Sequence, residues 1–176
     1  AKRLIAESGG VEKTPLESLG WLLPILSPDT GSVAEVRAIR KLIENRVEET
    51  AGAAHFTVSY SDGAQVLMHS DRRADGVLLE AIIGDQPTNT IIPKLVKGLL
   101  AHRKRGHWAN TQESSFVLLA LDKYFATFEK ETPNFVARAW IGDKLATEHA
   151  FKGRSTDKSN VTIPLSFIAG LTKPTN

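Results

Sequence analysis

Apolar residues recur at helical spacing over most of the first 130 positions and then give way to alternation. The first stripe is Leu19, Leu22, Leu23 and Leu26, opened by Thr14-Pro15-Leu16-Glu17 and halted before Pro28. Threonine with glutamate three residues later is the pattern of a capping box, proline is preorganised for the first helical position, and a second proline ends the run. Ser32-Val33-Ala34-Glu35 repeats the cap. Val36, Ile39, Leu42, Ile43 and Val47 then follow at helical spacing, with Arg37, Lys41, Glu44 and Glu48 facing away, which predicts a one-sided surface helix. From His55 to Met68 the period changes to two around Ser61-Asp62-Gly63, and the Asp-Gly step predicts a β-hairpin over about 55–68.

Helical spacing resumes near Arg72 with Ala74, Val77, Leu78, Ala81, Ile82 and Ile83. It breaks at Gly84-Asp85-Gln86-Pro87 and restarts near Thr90 as Ile91, Ile92, Leu95, Val96, Leu99 and Leu100, with Pro93 tolerated in the first turn. Short connections of this kind favour antiparallel helical hairpins. The last helix is preceded by Gly106-His107-Trp108-Ala109. Asn110 is placed to cap it, with Glu113 reaching back from the third helical position. From Phe116 to Leu121 this helix has no polar side, so it is expected to be surrounded by other elements.

Composition shifts at Glu131-Thr132-Pro133. Phe135 to Ile141 and Leu145 to Phe151 flank Gly142-Asp143-Lys144 as antiparallel strands, and Val161-Thr162-Ile163 reads as a further strand. The expected class is therefore α+β, with helical hairpins over 1–131 and strands over 132–176. So few strands need an apolar partner surface, which makes open edges and self-association an expectation.

The totals narrow the chemistry. With 176 residues and 41% hydrophobic, the chain can build one ordinary domain or two small ones. Twenty-two basic residues against 20 acidic leave +2, which gives no reason to expect nucleic acid or an anionic membrane as partner. The absence of cysteine excludes disulfides, thiolate nucleophiles and thiolate-bound zinc. No apolar run reaches the roughly 20 residues of a bilayer span, and Ala1-Lys2-Arg3-Leu4-Ile5-Ala6-Glu7 turns polar too early for a signal peptide.

The five histidines, His55, His69, His102, His107 and His149, lack the spacing of a metal motif and read as structural or solvated. The basic run His102-Arg103-Lys104-Arg105-Gly106-His107 reads as cations on the last turn of a helix, favoured by its dipole, and on the connection beyond it, rather than as a nucleic-acid contact. Ser114 and Ser115 lack a nucleophile elbow. Asp71 with Asp75, or Glu113 with Asp122, could serve glycoside chemistry, but any acidic helix supplies such pairs. No catalytic, cofactor-binding or metal-binding residue is assigned.

One segment carries a resemblance. The helix Ile92-Pro93-Lys94-Leu95-Val96-Lys97-Gly98-Leu99-Leu100-Ala101, then Trp108, Asn110, Thr111, Gln112 and Glu113 and a leucine-rich helix, resembles the last hairpin of the thioester domain of alpha-2-macroglobulins, above all the bacterial branch. His107 and Ala109 depart from the glycine or serine many members carry there. The resemblance implies an incomplete α/α toroid over 1–131, followed by strands of an adjoining CUB or macroglobulin-like sandwich over 132–176. It further implies a periplasmic or extracellular protease trap, an endopeptidase inhibitor whose full-length form captures target proteases. This part would then be a non-enzymatic scaffold bearing no thioester and docking on neighbouring domains of its own chain. The readings set against it are an α/α-barrel enzyme acting on a carbohydrate or isoprenoid, and a protein-interaction module.

Overall fold

The computed structural model describes residues 1–60, 66–153 and 160–166, which fall into two compact units, 1–128 and 129–176. Unit one contains α1 (Lys2–Glu7), α2 (Leu16–Leu26), α3 (Val33–Arg46), β1 (Val47–Glu49), β2 (Ala54–Phe56), α4 (Asp71–Asp85), α5 (Ile92–Ala101) and α6 (Thr111–Phe128). Unit two contains β3 (Asn134–Ile141) and β4 (Lys144–Lys152). Helices with two small antiparallel sheets make the class α+β, while the described residues show neither a closed toroid nor a sandwich.

The core of unit one is built around α4, which packs against α2, α5, α6 and β2. Leu78 and Leu79 of α4 are fully buried with Leu19 and Leu23 of α2, Leu95 and Leu99 of α5, Phe56 of β2 and Val117 of α6. Two glycines allow backbones to meet. A Cβ on Gly76 would lie 2.9 Å from the Phe116 carbonyl of α6, and one on Gly98 would lie 2.2 Å from the Ala54 carbonyl of β2, so any side chain there forces elements apart.

The helices follow the predicted periodicity, but their starts do not follow the predicted caps. Thr14 Oγ1 donates to the Gly10 carbonyl, and Pro15 at the cap position of α2 supplies no side-chain bond. Ser32 likewise leaves α3 uncapped, because its hydroxyl donates to Asp29. Where the cap signal holds is α6: Asn110 Oδ1 accepts from the Glu113 amide at 2.9 Å, and Glu113 Oε2 accepts from the Ala109 amide at 2.9 Å.

Two further expectations for unit one need correction. The turn of the predicted 55–68 hairpin, Ser61-Asp62-Gly63, lies outside the described residues, but β2 pairs with β1 instead, in register Val47 to Phe56. Residues 57–60 run beside the start of α4 without a ladder, held by the Val58 amide on Asp71 and by Tyr60 Oη on the Ser70 carbonyl, each at 2.9 Å. The second correction is α6, which is not surrounded. Gly76 brings α4 against one side of it, while Leu118 and Leu119 on the other remain 56% exposed.

In unit two, Phe135 stacks on Phe151 across the strands, ring centroids 5.0 Å apart, and Arg138 pairs with Glu148. The register slips between Ala139 and Trp140, and Phe135, Val136, Trp140 and Leu145 stay exposed. Val161 to Ile163 do not form the expected strand.

Candidate functional site

Charged side chains buried in an apolar core are costly unless paired, so they mark the places where the fold does more than pack. Two such groups lie at the N-terminal half of α4. Glu17 projects from α2 and is buried. Its Oε1 lies 2.8 Å from Arg73 Nη2 of α4, and its Oε2 lies 3.0 Å from His69 Nδ1, which precedes that helix. The His69 ring stacks on Tyr60 at 5.1 Å. Arg73 is spanned further by a bond to the Leu67 carbonyl at 2.9 Å and by the Phe116 ring 5.1 Å from its guanidinium carbon, while its Nε is buried without a hydrogen-bond partner. The Tyr60 hydroxyl is pushed up by burial first, then by the negative charges of Glu17 and Asp71.

Asp75, one helical turn beyond Asp71, is only 1% exposed. Its Oδ1 accepts from the Phe56 amide at 2.7 Å, and its Oδ2 lies 3.2 Å from Arg72 Nη1, within ion-pair range but without hydrogen-bond alignment. Burial pushes its carboxyl up to about 7. Arg72 and the Phe56 amide oppose the shift, and the neighbouring carboxylates of Asp71 and Glu113 add to it. Arg72 also touches His102, whose Nδ1 is 2.8 Å from the Gly98 carbonyl. Since a carbonyl only accepts, that nitrogen carries the proton, and Arg72 does not bond to it.

At the other end of α4, Asp85 receives both Nε and Nη2 of Arg40 at 2.8 Å, together with the Ser27 hydroxyl. Burial opposes its ionisation, but these donors outweigh burial and hold the carboxyl below its usual value.

The arrangement is one of clamps rather than of open chemistry. Glu17, Asp75 and Glu113 are buried and engaged, and Glu80 sits at the surface 3.9 Å from Lys123. None of these four carboxylates lines the grooves along α3 or around Asn89 and Thr90. An open groove of about 660 Å³ lies along α3 beside Arg37, Arg40 and Glu44. Among the described residues no group of three His, Asp or Glu is placed to hold a metal ion.

The residues that carried the family resemblance are placed as follows. Trp108 is buried, and its Nε1 donates to the Leu99 carbonyl at 2.9 Å, fastening the turn before α6 to the end of α5. Asn110 and Glu113 cap α6, Thr111 is exposed on its first turn, and Gln112 is half-buried. Sequence reasoning missed Glu17, His69, Arg73 and Tyr60 as a cluster. In the sequence Glu17 reads as part of a cap, and its place between Leu16 and Leu19 on an apolar face is the available signal for a buried acid.

No protein-family model matches the chain. The chain is similar to circularly permutated Ras protein 2 of Dictyostelium discoideum, with 29% identity over 167 residues covering 87% of this chain. The chain spans about 4% of that relative's length. This finding overturns the macroglobulin resemblance, and with it the protease trap, the inhibitor activity and the thioester and CUB-like domains. What looked like a family signature is a local solution: an indole anchoring a turn and an Asn/Glu pair capping a helix, useful in any helical hairpin.

Proposed function

We propose that this chain acts as a non-catalytic structural segment within a Ras-related signalling protein, with the outer face of α6 covered by adjoining polypeptide. The observation that carries the reading is that face. Leu118 and Phe125, seven residues apart on one stripe, are exposed together with Leu119 and Phe128, beyond what a helix leaves to water without a partner. The similarity to a small segment of a far longer Ras-named protein supports the larger context. Guanine-nucleotide chemistry belongs to other parts of such a protein. This sequence holds no Gly-x-x-x-x-Gly-Lys-Ser/Thr run, the loop whose backbone amides cradle phosphates, and its buried acids are committed to clamps.

Titration with a fluorescent GTP analogue and magnesium tests the catalytic half of the proposal. No saturable binding is expected, and saturable binding with turnover would refute it. Sedimentation tests the other half. Leu118→Glu with Phe125→Glu should remove concentration-dependent self-association while shifting unfolding by no more than about 0.5 kcal/mol, as surface substitutions do. A wild-type chain that stays monomeric at high concentration counts against a covered face.

A further inference from the structure

The basic run lies past the end of α5, not on it. The helix ends at Ala101 with no basic residue in its last turn, so the dipole, which acts only over that turn, does not account for Arg103, Lys104 and Arg105. These cations sit instead on a built turn. Lys104 and His107 exchange backbone bonds at 2.9 and 3.1 Å, and the two residues between them, Arg105 at φ 51° and Gly106 at φ 91°, have the positive φ values of a type I′ turn. The turn is fastened from below by Trp108 on the Leu99 carbonyl and by His107 Nδ1, which donates to the Trp108 carbonyl at 2.8 Å.

Glycine, asparagine or aspartate suits the first central position of such a turn, yet arginine occupies it, held in the left-handed region at an exposed tip. Arg40, Arg72, Arg73 and Lys94 each have a carboxylate within ion-pair range. Among the described residues Arg103, Lys104 and Arg105 have none, although all three are exposed. The Arg103 guanidinium reaches back to within 4.0 Å of where a Cβ on Gly106 would stand, so the cations share one small surface. Beside them, the outer side of α5 exposes Lys97 and Leu100.

We propose that the turn Lys104 to His107, with Arg103 and the adjoining Lys97 and Leu100, is a docking site for an acidic protein segment that carries an apolar residue. Charge complementarity selects the acidic chain, and Leu100 gives its apolar residue a contact. The site exposes no Trp, Tyr or Phe for a nucleobase, because Trp108 is buried, and the near-neutral whole provides no track for a long polyanion. This site is separate from the α6 face, so either can fail without the other.

The test uses the full chain and a fluorescein-labelled Glu-Glu-Leu-Glu-Glu-Leu-Glu-Glu peptide, followed by anisotropy at low and physiological salt. Competing arms use an oligo-dT of equal charge and phosphatidylserine vesicles. Saturable peptide binding is expected, reduced about tenfold by Arg103→Glu with Lys104→Glu and about threefold by Leu100→Ser. Arg105→Gly removes the tip charge while relaxing the backbone. It should unfold no earlier than wild type yet bind about threefold more weakly, which separates recognition from folding. The proposal is overturned by absent peptide binding, by equal affinity in the charge-reversed or Arg105→Gly chain, or by tighter capture of the oligonucleotide or the vesicles.

Discussion

The two ends of α4 hold the same side chain in opposite electrical conditions. Asp85 and Asp75 are both aspartates with 1% of the side chain exposed, yet the first is driven toward ionisation and the second away from it. Asp75 lies deeper, buried as a whole residue where Asp85 is half-buried at the helix end, and the donor geometry differs as well. Arg40 meets Asp85 with two parallel N–H groups and Ser27 adds a third, whereas Asp75 has one aligned amide and an arginine whose N–H points elsewhere. Proximity of a cation does not offset desolvation unless its hydrogen bonds are aligned, so depth of burial and alignment of donors together decide whether a carboxylate stays charged.

The strongest way to break this contrast is Arg40→Ala, which leaves Asp85 buried without its fork. A loss of about 2–3 kcal/mol in urea unfolding is expected, below the full cost of a broken buried pair because Arg40 is 37% exposed. A loss under about 1 kcal/mol would mean that water already neutralises Asp85.

The contrast also makes opposite pH predictions. The folded Asp75 carboxyl titrates near 7 against an ordinary value of 3.8, so between those values the folded chain holds a proton that the unfolded chain has released. Its contribution to stability is present below the ordinary value and declines as pH rises toward 7, by at most about 1.4 kcal/mol per pH unit. Asp85, with a lowered value, contributes above the ordinary value and loses that contribution as pH falls through its folded value. Asp75→Asn keeps an acceptor for the Phe56 amide and removes the charge. Its unfolding free energy should therefore gain on wild type as pH rises from 5 to 7. Parallel profiles over that window would show that Asp75 is ordinary.

A finer probe is Ser27→Ala, which deletes one donor to Asp85 and keeps the arginine fork. The expected cost is about 1 kcal/mol, together with an upward shift of the acid limb of unfolding. No change in either would assign the whole effect at that end of α4 to Arg40.

How much of this was legible depended on what each residue answers to. Helix positions answer to periodicity, and α2 through α6 stand close to where the apolar stripes put them. Caps answer to local rivals: Thr14 and Ser32 found other acceptors, while Asn110 had none competing. Val47 to Glu49 continued the helical charge pattern of α3 and concealed a strand, because its partner β2 lies across a tight turn closed by Thr50 and Ala53. The exposure of α6 was not legible, since an apolar run says what a helix needs and not what supplies it. Nor was the clamp at Glu17, whose partner His69 is 52 residues away. The cations were legible as the connection beyond a helix, but not that α5 ends at Ala101 and leaves all of them off its last turn.

The short strand β2 links these results. Its Phe56 amide is bound to Asp75, while its Ala54 carbonyl is wedged against Gly98 of α5. A single backbone proton is thus in direct contact with the carboxyl that titrates near neutrality, and its nitrogen-15 resonance should move with that titration while neighbouring amides stay still. One NMR cross-peak then serves as a built-in electrode for the interior of the helical unit.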